Sequence, residues 1–186
     1  DVDGDGDLDL LVANIASFHT NRLHLNDGNG NFTDASAQIP QGGSTTDIEL
    51  GDVDGDGDLD AVLSTWGQTR LWINDGLGNF ANATAQMPPY SDTSNDVVLL
   101  DVDGDGDLDV FVANSHQTAQ NRIHLNDGAG NFVDAPANLP VQFDPTYAAA
   151  AGDVNGDGFV DLICANVGPN QLLSLIHISE PTRLSV

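Results

Sequence analysis

Positive charge is nearly absent from this chain. Its 186 residues include no lysine and only four arginines, set against 29 aspartate and glutamate residues, so that the formal net charge is −25. Nucleic acids and anionic lipid surfaces are themselves negative, and they repel a protein surface of this charge. We therefore expect no nucleic-acid partner.

Cysteine and long apolar stretches are scarce as well. Cys164 is the only cysteine, so no disulfide can form within the chain, and its position after Leu162 and Ile163 predicts a small buried side chain. No apolar run is long enough for a transmembrane helix, and we expect no membrane insertion. Apolar residues nevertheless make up 40% of the chain, which is too many for an acidic disordered protein.

The acidic residues are concentrated in four copies of a nine-residue stretch that begin at residues 1, 52, 101 and 153. Glycine occupies positions 4 and 6 of every copy, where it allows a sharp turn. Oxygen-bearing side chains occupy the odd positions, with one exception. Positions 1, 3, 5, 7 and 9 are Asp1, Asp3, Asp5, Asp7 and Asp9; Asp52, Asp54, Asp56, Asp58 and Asp60; Asp101, Asp103, Asp105, Asp107 and Asp109; and Asp153, Asn155, Asp157, Phe159 and Asp161.

Five like charges in nine residues repel one another by about 1 kcal/mol per close pair even in water. A bound divalent cation converts this repulsion into attraction, and a flexible loop rich in oxygens suits Ca²⁺ better than Mg²⁺. We therefore predict four calcium sites, one for each loop.

The fourth loop indicates which positions bind calcium through their side chains and which do not. Phe159 has no side-chain oxygen, so position 7 is predicted to ligate through its backbone carbonyl. The side chains of Asp7, Asp58 and Asp107 are accordingly predicted to face water. Because Asn155 is a neutral ligand, the fourth site is predicted to bind most weakly.

Between the loops, recurring sequence motifs predict short β-strands. A first strand follows each loop, a second ends in Asn-Asp before a glycine turn, and a third opens on phenylalanine. A fourth strand leads into the next loop. The predicted first strands span 8–14, 59–65, 108–114 and 160–166, the second 21–27, 69–75 and 121–127, the third 32–39, 80–87 and 132–139, and the fourth 46–51, 96–100 and 147–152.

The loops recur at intervals of 51, 49 and 52 residues, a period typical of propeller blades. Four short antiparallel strands per repeat, without a helical pattern, predict an all-β fold of β-propeller blades. We place a partial blade at 1–44, whole blades at 45–93 and 94–144, and a partial blade at 145–172. The chain is thus expected to be part of an incomplete propeller and a fragment of a longer protein.

Residues 173–186 align with nothing in the preceding repeats. They look like the translation of a sequencing adaptor, and we therefore treat them as a non-native tail and exclude them from fold reasoning.

The acidic loop at a blade-sized period, with Asn-Arg-Leu-x-Leu-Asn-Asp-Gly-x-Gly-Asn-Phe between copies, resembles the FG-GAP/VCBS-type repeats. These form calcium-binding β-propellers in integrin α-subunits and in many bacterial surface or secreted proteins. The resemblance covers residues 1–172. It implies calcium at the four loops but does not imply a ligand. We expect a secreted or cell-surface protein that serves recognition, adhesion or scaffolding, with an unknown protein or glycan as its ligand.

The competing hypothesis is an extracellular enzyme, such as one that degrades polysaccharides, with catalytic residues elsewhere in the parent protein. The non-repeating loops at 41–45, 89–95 and 141–146 offer no cluster of catalytic side chains. His24 and His124 share a strand position with Trp72, which predicts a packed ring. We therefore predict no catalytic residues in this chain and no enzymatic activity. Arg22, Arg70 and Arg122 also recur at one position, which predicts contacts between blades.

Overall fold

The computed structural model describes residues 1–15, 20–116, 120–135, 139 and 145–174. These residues form fourteen β-strands and two short 3₁₀ turns, Ser36–Gln38 and Thr84–Gln86, and they contain no α-helix. The predicted all-β fold is confirmed.

The strands form four successive antiparallel units, which we call repeats one to four. Repeat one has three strands, repeats two and three have four strands each, and repeat four has three. In chain order the strands are β1 Leu10–Val12, β2 Arg22–Asn26 and β3 Phe32–Asp34; β4 Thr45–Gly51, β5 Asp60–Gly67, β6 Arg70–Asn74 and β7 Phe80–Asn82; β8 Asp92–Leu100, β9 Asp109–Asn114, β10 Arg122–Asn126 and β11 Phe132–Asp134; and β12 Thr146–Gly152, β13 Asp161–Asn166 and β14 Gln171–Ser174.

In repeats two to four, the acidic loop joins the innermost strand to the next strand, and in repeat one it leads into β1. In repeat two, Gly51 at the end of β4 pairs with Asp60 at the start of β5, while Thr45 pairs with Thr65 at the opposite end. The acidic loops therefore lie at one end of the sheets. The β5–β6 turn and the connections between repeats lie at the other end.

The hydrophobic core lies between neighbouring repeats, as in stacked propeller blades. One cluster of buried side chains joins repeats one and two, another joins repeats two and three, and the last joins repeats three and four. The second residue of each acidic loop contributes to these clusters: Val2, Val53 and Val102 are buried against the following repeat. Val154, which has no following repeat among the described residues, is 51% exposed.

The third strand of a repeat is shorter than predicted. In repeat one it ends at Asp34 rather than near residue 39. The Asp34 carboxylate accepts hydrogen bonds from the backbone N–H (3.0 Å) and the hydroxyl of Ser36, and this local turn competes with the sheet. In repeat two, Asn82 accepts the Thr84 backbone N–H at 3.0 Å.

Strand β14 extends into the segment predicted to be the tail. Leu173 and Ser174 continue β14 and pair with Leu162 and Asp161. Leu173 also packs against the core between repeats three and four, which explains why the strand extends past residue 172. Residues 175–186 lie outside the described part of the chain.

The innermost strands are linked by partly buried carboxylates. Asp47 accepts the backbone N–H of Val97 at 3.3 Å, and Asp96 accepts that of Ala149 at 2.6 Å. Burial, followed by the hydrogen bond and the charge of the neighbouring Asp47, raises the pKa of Asp96 to about 7.

We predict a pH dependence of stability from Asp96. Because its folded pKa lies above the unfolded value, the stability that Asp96 contributes is fully present below about pH 4 and is lost as the pH rises through about 7. Asp96→Asn should remove this dependence. Urea unfolding at several pH values compares the variant with wild type, with Asp27→Asn in an exposed turn as the control. An unchanged pH slope in Asp96→Asn would contradict the assignment.

Candidate metal centres

The four acidic loops share one backbone geometry. Glycines at positions 4 and 6 have φ between 76° and 98° in every copy, which few other residues adopt without strain. This conformation directs the two glycine N–H groups at the carboxylate of position 1. In the first loop, Asp1 accepts from Gly4 at 2.8 Å and from Gly6 at 3.0 Å.

The same bonds recur in the other loops. Asp52, Asp101 and Asp153 each accept the N–H groups of the two glycines that follow them, at 2.6–3.1 Å. The loops are therefore organised by their own hydrogen bonds.

The carboxylate at position 9 is anchored inside the sheet. Asp60 is fully buried and accepts the backbone N–H of Val53 at 3.1 Å and that of Asn74 at 2.9 Å. Asp109 makes the equivalent bonds to Val102 and Asn126. Burial outweighs these bonds and raises the pKa of both carboxyls to about 6.

Carboxylate oxygens converge in three of the loops. In each of these loops, three ligand atoms lie within 4.8 Å of one another, a spacing that a single Ca²⁺ with bonds of about 2.4 Å can bridge. Positions 1 and 3 take part in every case, joined by position 5 in the first loop and by position 9 in the next two. The groups are Asp1, Asp3 and Asp5; Asp52, Asp54 and Asp60; and Asp101, Asp103 and Asp109.

The fourth loop does not form such a group of carboxylates within the described residues. Position 3 is Asn155, whose amide oxygen accepts the N–H of Asp157 at 2.8 Å. One oxygen of the buried Asp161, Oδ1, has no hydrogen-bond partner in the described part of the chain. Phe159 is 51% exposed.

Three overlapping segments of this chain, residues 1–63, 52–112 and 101–164, match the family model described as an FG-GAP-like repeat. Each segment begins at an acidic loop and ends in the strand that follows the next loop. The chain belongs to the FG-GAP-like repeat family.

Two solved structures are similar to these FG-GAP-like repeats. A lectin from Agrocybe aegerita, described as recognising non-reducing terminal N-acetylglucosamine, has a TM-score of 0.56 and 21% identity; the alignment covers 95% of this chain and 51% of the lectin. The biofilm matrix protein Bap1 of V. cholerae has a TM-score of 0.47 and 18% identity, over 88% of this chain and 23% of that one. No curated protein matches the chain.

The FG-GAP-like repeats depart from the sequence prediction at position 7. Asp7 is only partly exposed, and its carboxylate lies over the hairpin turn of the same repeat. A Cβ atom on Gly28 would lie 2.4 Å from Asp7 Oδ2, and the φ of 72° at this residue favours glycine. Asp58 and Asp107 cover Gly76 and Gly128 in the same way. These side chains are therefore partly covered by the hairpin rather than directed wholly at water.

Sequence reasoning also missed the asparagine that ends the second strand. Asn74 Nδ2 donates to the Val2 carbonyl at 2.7 Å, and Asn126 Nδ2 donates to the Val53 carbonyl at the same distance. Each bond joins a repeat to the acidic loop of the preceding repeat. The recurrence of this asparagine before Asp-Gly in every repeat with a second strand of this type is the sequence signal for these bonds.

A second polar cluster lies at the opposite end of the sheets, between repeats two and three. Tyr90 and Asp92, from a loop predicted to carry no such cluster, lie beside Arg122 and His124. The guanidinium lies 3.6 Å from the Tyr90 ring centroid and 2.7 Å from Asp92. Burial lowers the pKa of His124 to about 4. The cavity here is only about 10 Å³, so the cluster is packed, as predicted for the ring of His124.

The described residues include no helix that is both long and apolar enough to cross a membrane.

Proposed function

We propose that this FG-GAP-like repeat chain is a calcium-stabilised module for ligand recognition, adhesion or scaffolding outside the cell. The observation that carries the proposal is the convergence of carboxylate oxygens in three successive loops. Carboxylates placed this close repel one another unless a cation lies between them.

The donor set fits calcium. All the proposed ligands are oxygens: the side chains at positions 1, 3, 5 and 9, and the backbone carbonyl at position 7. Each carboxylate oxygen of Asp1 already accepts one N–H group, but a carboxylate oxygen has a further lone pair for a cation. The hydrogen bonds therefore position the oxygens without consuming them.

The proposed location follows from the expected affinity. Extracellular calcium modules bind with dissociation constants of about 10⁻⁴ to 10⁻³ M, and such sites require a millimolar supply of the ion. Glycans belong among the ligands to be tested because the lectin that shares the fold is described as recognising a terminal sugar. No catalytic step is assigned to the chain.

The outer repeats expose apolar surface that further blades of a parent protein would cover. Phe32 in repeat one is 51% exposed, whereas its counterparts Phe80 and Phe132 are buried against the preceding repeat. In repeat four, Ile163 and Leu172 are 46% and 57% exposed. We propose the remaining blades of a longer chain as their partners.

We predict that calorimetric titration of the chain with calcium shows about four sites, with the loop at 153–161 the weakest. That loop should bind most weakly because a neutral amide replaces the carboxylate at its position 3. Magnesium, which tolerates fewer protein ligands, serves as the comparison ion. An absence of calcium heat at millimolar concentration would refute the proposed function.

A further inference from the structure

A groove of about 370 Å³ opens on repeat two, at the end of the sheets opposite the acidic loops. Its walls come from the connection between repeats one and two, from the β5–β6 turn, and from β7 and the turn that follows it. Trp66 lies in this groove with 59% of its surface exposed. Ligand sites commonly have volumes of about 300 to 1,000 Å³, so the groove is large enough for a small organic ligand.

The lining of the groove is unusual for this protein. It contains Arg70, one of only four basic side chains, and no carboxylate, although the chain carries 29. Around Trp66 and Arg70, the remaining polar side chains are amides and hydroxyls. The polar lining residues are Gln41, Ser44, Thr65, Gln68, Asn82 and Thr84.

The arginines of the other repeats are neutralised by aspartates. Arg22 faces Asp34 at 3.5 Å, and Arg122 faces Asp134 at 3.6 Å in addition to Asp92. Asp34 and Asp134 occupy the third residue of the outermost strand. In repeat two that residue is Asn82, and within the described part of the chain no carboxylate lies within 4.0 Å of Arg70.

The residues that close the equivalent cavity in repeat three are also replaced. When β4 of repeat two is aligned with β8 of repeat three by their pairing with the next strand, Gln41 and Gly43 of repeat two correspond to Tyr90 and Asp92 of repeat three. Gly43 leaves room for the arginine, since a Cβ atom there would lie 2.4 Å from Arg70 Nη2. The guanidinium donates to the Gly42 carbonyl, which holds it at the edge of the groove. Repeat two is thereby open where repeat three is packed.

The acidic loops do not cancel this positive charge. They lie at the other end of β5, an eight-residue strand that spans roughly 25 Å at 3.3 Å per residue. That distance exceeds the Debye length of about 8 Å at physiological ionic strength. Asp92, which is nearer, is paired with Arg122 at 2.7 Å.

We infer that this groove binds an acidic saccharide, with a sugar ring on Trp66 and its anionic group at Arg70. The inference deepens the proposed function and rests on it, since it names the ligand class of the recognition module. The negative face of an indole attracts the C–H groups of a sugar ring. The planar guanidinium fork matches a carboxylate, and the amides and hydroxyls suit sugar hydroxyl groups.

An acidic peptide is less well matched. Peptides bind through free strand edges or apolar pockets for alternate side chains, whereas Trp66 is the one large apolar side chain among the lining residues. A short glutamate peptide therefore serves as a comparison ligand in the test.

The test titrates the full chain with a short oligogalacturonate and with a neutral galactose oligomer of equal length. Tryptophan fluorescence is a suitable readout because Trp66 is exposed while Trp72, the only other tryptophan, is buried. We expect saturable binding of the acidic oligomer and at least about tenfold weaker binding of the neutral one. A sulfated galactose oligomer shows whether the anion must be a carboxylate; binding of either anionic oligomer supports the inference.

The decisive variant is Asn82→Asp, which gives repeat two the carboxylate that repeats one and three carry at this position. Asn82 is exposed on an outer strand, so the fold should survive, and calorimetry should show about tenfold or greater loss of acidic-oligomer binding. Thr33→Asp adds the same charge to the outer strand of repeat one and should leave binding unchanged. Trp66→Ala should weaken binding of both oligomers.

Equal losses of acidic-oligomer binding in Asn82→Asp and Thr33→Asp would overturn the inference. Equal affinity for the neutral and the anionic oligomers, or tighter binding of the glutamate peptide, would overturn it as well. The titration is run with calcium and again with excess chelator. Calcium binding without any saccharide binding would refute the saccharide site and leave the proposed calcium role intact. Saccharide binding in a chain that binds no calcium would refute the calcium role and leave the saccharide site intact.

Discussion

Excess chelator is expected to lower the free energy of unfolding by about 6 kcal/mol relative to 1 mM calcium. A site with a dissociation constant near 10⁻⁴ M contributes roughly 1.4 kcal/mol at that concentration by mass action, and there are four loops. For a chain of 186 residues, each 1 kcal/mol shifts the melting temperature by about 2 to 4 °C. The melting temperature should therefore fall by about 10 to 25 °C.

Thermal unfolding followed by circular dichroism at 1 mM calcium and in excess chelator measures this change. Magnesium added back to the chelated protein should restore little of the loss, and calcium should restore all of it. A melting curve that does not change on chelation would mean that the loops are held only by their own hydrogen bonds.

Asp60→Ala is expected to destabilise the chain by about 2 to 4 kcal/mol even without calcium. The Asp60 carboxylate is fully buried and accepts the backbone N–H groups of Val53 and Asn74. Its removal leaves both donors without a partner, at a cost of about 1 to 3 kcal/mol each. Burial raises the pKa of this carboxyl to about 6, because the buried charge is itself unfavourable. The expected loss of stability is therefore below the sum of the costs of the two unpaired donors.

The matched control is Asp58→Ala, two residues earlier in the same loop. Asp58 lies over Gly76 at the turn and accepts none of the loop's N–H bonds, so a loss below about 1 kcal/mol is expected. Urea unfolding in chelator at pH 8 compares the two variants while the carboxyls are ionised. Similar losses in both would show that position 9 has no special structural role.

Calcium titration of the same pair separates ligation from stability. Asp60 belongs to a convergent carboxylate group and Asp58 does not, so only Asp60→Ala should abolish one site. Loss of a site in Asp58→Ala would contradict ligation through the backbone carbonyl at position 7.

Local patterns were sufficient to predict the loops and most strands. The alternation of aspartate and glycine over nine residues predicts a turn held by hydrogen bonds within the loop, such as those from Gly55 and Gly57 to Asp52. Strands that begin at phenylalanine after a glycine turn were also predicted correctly, as at Phe80. These features depend on neighbours within a few residues, and the sequence displays those neighbours directly.

Contacts between residues far apart in the chain could be decided only by the tertiary structure. Asn74 donates a hydrogen bond to the carbonyl of Val2, 72 residues away, and the carboxylate of Asp58 lies over Gly76 in the turn between β6 and β7. The groove at Trp66 and Arg70 exists because residues from three separate connections meet there without a carboxylate. The sequence by itself determined the repeat and its acidic loops; the stacking of one repeat on the next decided which polar side chains are buried, paired or left open to a ligand.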